Sequence, residues 1–112
     1  MARLIVNAYS EDTLAAPENR QPNYIVVSVT DRNGVPLGGL TASNFQVDPV
    51  IVGPGGALVD IVDVQEVRLA GIYLIRVVPI GAQTWKPGVY IFAVAVQRGA
   101  NRGQNLASVL MD

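Results

Sequence analysis

One seven-residue pattern occurs twice in this chain. Gly71-Ile72-Tyr73-Leu74-Ile75-Arg76-Val77 is followed, 17 positions later, by Gly88-Val89-Tyr90-Ile91-Phe92-Ala93-Val94. Each copy is a glycine turn running into β-branched and aromatic residues, the composition of a buried antiparallel strand. Side chains alternate faces along a strand, so Tyr73, Ile75 and Val77 share one face, as do Tyr90, Phe92 and Val94. Two such strands joined through Pro79 to Pro87 predict an all-β sandwich.

The rest of the chain fits that expectation, with period-two runs separated by turn residues. Leu4 to Tyr9 reads as a first strand, and Ser10 to Asn23, polar and holding Pro17 and Pro22, as a long loop. Tyr24 to Asp31 is a second strand ending at Asp31-Arg32-Asn33-Gly34, where Asn-Gly favours a tight turn because both residues tolerate positive φ. Thr41 to Asn44 is expected to form one helical turn capped by Thr41 or Ser43. Phe45 to Val52 is a third strand disturbed at Pro49, and Gly53 to Gly56 a turn. Leu58 to Val67 is a fourth strand, with Ile61, Asp63 and Gln65 on one face and Val62, Val64 and Glu66 on the other. Ile72 to Val78 and Val89 to Gln97 are the twin strands. A turn over Arg98 to Gly103 leads to a last strand, Asn105 to Met111.

Length and composition narrow the possible functions. A chain of 112 residues makes one domain with one core, and 50% hydrophobic against 15% charged residues argues for a well-buried interior. The net charge of −1, with one lysine (Lys86) and scattered arginines, provides no electrostatic footprint for nucleic acid. Cysteine is absent, so no disulfide braces the fold. Asn7 interrupts the first apolar run before a signal-peptide core forms, and no stretch approaches the roughly 18 apolar residues of a membrane span. The expectation is a soluble chain without signal peptide or membrane insertion.

The stretches VSVTDRNGVPLGGLTASNFQV, GIYLIRVVP and WKPGVYIFAVAV resemble the Ig-like modules of bacterial proteins, nearest in character to invasin-type repeats and macroglobulin-type domains. The Asp31-x-Asn33-Gly34-x-Pro36 turn and the Gly-x-Tyr openings of late strands carry the resemblance, which covers residues 24–97. It implies a seven-stranded antiparallel Ig-like β-sandwich of bacterial or phage origin, used as a spacer or binding surface and without catalytic residues.

The residues themselves offer little chemistry. Histidine is missing, which removes the usual general base and the commonest metal ligand. Ser10, Ser28, Ser43 and Ser108 have no base beside them in sequence. Asp60 and Asp63, three apart on a strand, are expected on opposite faces, which is poor geometry for paired acid–base work. No enzyme, cofactor or metal is therefore expected. Calcium is the nearest metal option, through Asp31 and Asn33 with Asp48, Asp60 or Asp63, but Arg32 between the first two opposes it. Trp85 admits two readings: a ring that stacks on a sugar, or a residue that packs over one end of the core. The second is favoured.

The outward residues of the twin strands are the more suggestive signal. If the tyrosines face inward, Ile72, Leu74 and Val78 face out on the first strand, interrupted only by Arg76. Val89, Ile91, Ala93 and Ala95 face out on the second. A wet sheet face alternates apolar with polar residues, and these do not. The last strand, around Val109, is apolar on both faces. The predicted function is a non-catalytic structural or protein-interaction module, assembling with a protein partner or as a homo-oligomer. Ile72, Leu74, Val89, Ile91, Ala93, Ala95 and Val109 are the candidate interface. The alternative is a carbohydrate-binding module using Trp85 and adjacent loops.

Overall fold

The computed structural model describes residues 3–10, 23–51, 59–67, 70–81, 84–85 and 88–111, apart from the side chains of residue 51 and residues 109–111. Of the long loop expected over Ser10 to Asn23, residues 11–22 lie outside the described residues, as does the turn at Gly53 to Gly56. Ser10 ends the first strand and Asn23 begins the second.

Seven strands form: β1 (Ile5–Ser10), β2 (Asn23–Thr30), β3 (Phe45–Ile51), β4 (Val59–Glu66), β5 (Ile72–Pro79), β6 (Gly88–Arg98) and β7 (Asn101–Met111). They make two antiparallel sheets, one in the order β1-β2-β5-β4 and one in the order β3-β6-β7. The alternation in the sequence is the cause. Along β5, Tyr73, Ile75, Val77 and Pro79 are buried while Ile72, Leu74, Arg76 and Val78 are half-buried. Along β6, Tyr90, Phe92, Val94 and Val96 are buried in the same way. With Ile25, Val27 and Val29 of β2 and Val47 of β3 they fill the space between the sheets. Each fully buried large side chain contributes on the order of 2 kcal/mol by leaving water.

Twin strands joined through a short segment look like neighbours in one sheet. They are not: β5 pairs with β2 and β4, and β6 pairs with β3 and β7. Their buried faces meet across the core, so their outer faces point away from each other.

Three local irregularities shape the surface, the last of them expected from Pro49. The turn between β6 and β7 is only Gly99-Ala100, with Gly99 at φ 60°, and both strands run 11 residues. Gly103, expected in that turn, lies within β7 opposite Val96. A Cβ there would collide with the Leu4 carbonyl, so glycine lets the start of the chain close onto β7. Leu4 N–H donates to the Arg102 carbonyl at 2.8 Å, and Asn105 Nδ2 donates to the Val6 carbonyl at 2.7 Å, sealing this side of the sandwich. Second, the β4–β5 register shifts between Ile61 and Asp63. Ile61 and Val64 pack against the core, whereas Asp63 pairs with the outward Arg76. The expected grouping of Ile61 with Asp63 therefore fails, because a bulge adds a residue and reverses the alternation. Third, β3 shifts register between Pro49 and Ile51, where proline has no N–H for the ladder.

The segment between β2 and β3 is tied down by side chains. Asp31 Oδ1 accepts from Asn33 N–H at 2.8 Å and Val35 N–H at 3.0 Å, and Gly34 takes φ 81°. A single 3-10 turn, η1 (Ala42–Asn44), follows Thr41, whose N–H donates to Asn44 Oδ1 at 2.9 Å. The buried Tyr73 donates its hydroxyl to the Leu37 carbonyl at 2.6 Å and accepts from Leu40 N–H at 3.2 Å. Glu66 accepts from Gly39 N–H at 3.1 Å and Gly71 N–H at 3.2 Å.

Candidate functional site

The candidate residues divide between two opposite surfaces. Ile72 and Leu74 belong to the outer face of β1-β2-β5-β4, and Val89, Ile91, Ala93 and Ala95 to the outer face of β3-β6-β7. The single patch expected from the sequence does not form, because its two halves are borne by different sheets. Val109 stands opposite Tyr90 in the β6–β7 register, a position aligned with the buried side of β6 rather than with Val89 or Ile91. Its side chain is outside the described part of the structure.

The first face is mixed. Val26 sits between Tyr9 and Leu74, and Tyr24 is opposite Arg76. Tyr9 is 60% exposed and Tyr24 40%. Arg76 Nε donates to Asp63 Oδ1 at 2.9 Å, and its Nη2 donates to Asp63 Oδ2. This bidentate pair lowers the Asp63 pKa, chiefly through the hydrogen bond; desolvation opposes the shift, and the guanidinium charge adds to it. The same hydrogen bond, followed by the Asp63 charge, raises that of Arg76. Beyond Ile72, a depression of about 400 Å³ is lined by Ser28, Thr30, Pro36, Ala70 and Gly71.

The second face is apolar along its central strand. Val89, Ile91, Ala93 and Ala95 make an unbroken outward column on β6. Leu106 of β7, opposite Ala93, is 54% exposed, and Val50 of β3 is also exposed. Toward the Gly99-Ala100 turn the face becomes polar. Gln46 and Gln104 flank Ala95 on β3 and β7, and Arg102 is opposite Gln97. A trough of about 510 Å³ opens here, lined by Arg3, Gln46, Ala95, Gln97, Arg102 and Gln104. On β3, Gln46 Nε2 donates to Asp48 Oδ2 at 2.8 Å.

Trp85 is 1% exposed, with its ring edge-on to Tyr90 at 5.4 Å and to Phe92 at 6.4 Å. It presents no ring face to solvent on which a sugar could stack. The exposed aromatics are Tyr9 and Tyr24, whose outward position on β1 and β2 the sequence reading passed over; the alternation of β2 around Ile25, Val27 and Val29 was the signal for Tyr24. Arg3 and Arg102 were also missed, and no local pattern reveals them, since 98 residues of chain lie between the two.

The carboxylates considered for calcium do not gather. Asp31 is occupied by its own turn, Asp63 by Arg76 and Asp48 by Gln46. Among the described residues there is no group of three acids, histidines or cysteines placed to hold a metal ion. Asp60 and Asp63 do share the outer face, contrary to the expectation from their spacing, because the bulge reverses the alternation between them. No helix among the described residues is long and apolar enough to cross a membrane.

Glu66 and Tyr73 are perturbed by the contacts that anchor the 31–44 segment. The Gly39 and then the Gly71 N–H groups lower the Glu66 pKa. Burial, more than the nearby Glu66 charge, raises that of Tyr73, against the lowering effect of the Leu40 N–H.

No family model matches this chain, and no curated protein or solved structure is detectably similar to it. Its function therefore has to be argued from its own two surfaces.

Proposed function

We propose that this chain is a non-catalytic, bacterial-type Ig-like module that assembles through the outer face of β3-β6-β7, with a second copy as the partner. The Ig-like reading is supported by strand order. β1-β2-β5-β4 and β3-β6-β7 follow the same neighbour sequence as the A-B-E-D and C-F-G sheets of an Ig constant-type sandwich. The observation that carries the assembly reading is the outward column of β6. From Val89 to Ala95 it holds no polar residue, and Leu106 and Val50 extend it onto both neighbouring strands. The corresponding column of β5 is broken by the Arg76–Asp63 pair. A contiguous apolar surface of this kind is characteristic of interfaces.

Light scattering across a concentration series tests the proposal. The wild-type chain is expected to exceed the mass of one copy, and Ala93→Arg to restore it to one. A wild type that keeps the mass of one copy at the highest concentration reached would refute the proposal.

A second reading, a carbohydrate-binding module, is favoured by the exposed Tyr9 and Tyr24 on the opposite face. In that case polysaccharide retards the chain in affinity electrophoresis and Tyr9→Ala abolishes the retardation. Equal mobility with and without polysaccharide excludes it.

A further inference from the structure

Arg3 and Arg102 stand side by side where the start of the chain bridges β7 in parallel. Like charges placed this way repel. The backbone nevertheless holds them together, through the Leu4 N–H to Arg102 carbonyl hydrogen bond at 2.8 Å and the missing Cβ of Gly103. Among the described residues the only ion pair is Arg76–Asp63, and neither arginine meets a carboxylate there. Both line the trough over Ala95, together with Gln46, Gln97 and Gln104. Two guanidinium forks beside carboxamide donors make a site for a carboxylate.

The same face carries a carboxylate that is not in an ion pair. Asp48 lies opposite Ala93, exposed and, among the described residues, held only by the neutral Gln46 amide. It cannot meet Arg102 in its own chain, because β6 runs between β3 and β7. The register fixes their relation. Asp48 is level with Ala93 and Arg102 with Gln97, so they are about 14 Å apart along the strands and about 10 Å apart across them. The midpoint of that diagonal is Ala95.

We infer that the Arg3–Arg102 trough is a carboxylate site whose occupant is Asp48 of a second copy, in a two-fold dimer with its axis through Ala95. A two-fold axis in the plane of the face, perpendicular to the diagonal, places Asp48 of each copy over Arg102 of the other, so the ion pair forms twice. The single methyl of Ala95 at the axis lets the two faces approach. This inference rests on the assembly reading above for the face that is used. The two β6 columns then cross at Ala95, so the contact centres on Ala93 and Ala95 rather than on Val89 and Ile91, and a register and a charge code are added to that reading.

Charge reversal tests it, with circular dichroism confirming that each variant is folded. Asp48→Arg and Arg102→Glu are each expected to weaken dimerisation on the order of tenfold or more, because each sets like charges against one another. The double variant, Asp48→Arg with Arg102→Glu, restores the pairing with reversed sign and is expected to dimerise close to wild type. Wild-type association should also fall as salt is raised. If the double variant associates no better than the single ones, or if the single ones associate like wild type, the inference is overturned. Should Ala93→Arg still abolish association in that case, the face stands and only the register falls. A wild type that is monomeric throughout removes both.

Discussion

The two outer surfaces of this sandwich are built on strands of nearly the same sequence pattern, yet they differ in what they present to water. On β5 the outward residues are Ile72, Leu74, Arg76 and Val78, and the arginine reaches across to Asp63 on the bulged β4. On β6 the equivalent positions are Val89, Ile91, Ala93 and Ala95, with no charge among them. The charges of the second face are set apart at its margins, Asp48 on β3 and Arg3 with Arg102 at the β1–β7 junction. Among the described residues the first surface joins Arg76 to Asp63, with Asp60 outside the pair, and the second surface holds no ion pair. An ion pair made internally is a feature of a finished surface; separated opposite charges around an apolar centre favour a complementary one.

This contrast can be broken at several points. Gly103→Ala should have the largest effect, because the added Cβ meets the Leu4 backbone rather than a yielding side chain. A loss of about 1–3 kcal/mol is expected in urea denaturation, the usual cost of forcing atoms into a packed site. It also parts Arg3 from Arg102, so the second face should lose its association while the first is unaltered. Next comes a matched pair of substitutions read by light scattering. Ala93→Arg should weaken self-association on the order of tenfold or more, and Leu74→Arg, on the opposite surface, should leave it unchanged. Equal effects from both would erase the distinction between the faces.

Smaller effects come from the loop anchors and the surface pair. The N–H groups of Gly39 and Gly71 hold the Glu66 pKa below its ordinary value of 4.5 in the folded chain. The carboxylate therefore contributes stability above that value, and the contribution is lost as pH falls through the lowered folded pKa. Glu66→Gln should melt below wild type at neutral pH, and the gap should close as the pH is taken below about 4.5. Association through β3-β6-β7 should be indifferent to this change. Least of all, Arg76→Ala should scarcely move the melting temperature, since the two side chains are 37% and 47% exposed and the pair is screened by water and salt.

Much of this architecture was legible in the sequence, and the parts that were not share a physical cause. The inward and outward residues of β5 and β6 follow from alternation alone, as does the buried stripe Ile25, Val27 and Val29 on β2. Alternation tells which side of its own sheet a residue occupies, but not which sheet the strand joins. Ile72 and Ala93 could therefore be assigned outward without any sign that they face opposite directions. The β4 bulge escaped for a related reason: an added residue leaves no mark in Ile61-Val62-Asp63-Val64, yet it moves Asp63 to the side of Asp60. Gly103 reads as a turn residue until the Leu4 backbone is seen against it. The trough over Ala95 needs the same non-local fact, that the start of the chain returns to β7.

The bulges have a further consequence for the company this chain can keep. A sheet with a straight, unpaired rim invites another chain to add a strand, which is the route to open-ended aggregation. Here β3 is interrupted at Pro49 and β4 between Ile61 and Asp63, so neither bordering strand offers a regular ladder on which another chain can grow. At the other border, the Leu4 N–H and the Asn105 amide tie the start of the chain to the β7 side. On the assembly proposed above, contacts between copies fall on faces instead of rims, where a two-fold contact closes after one partner instead of propagating.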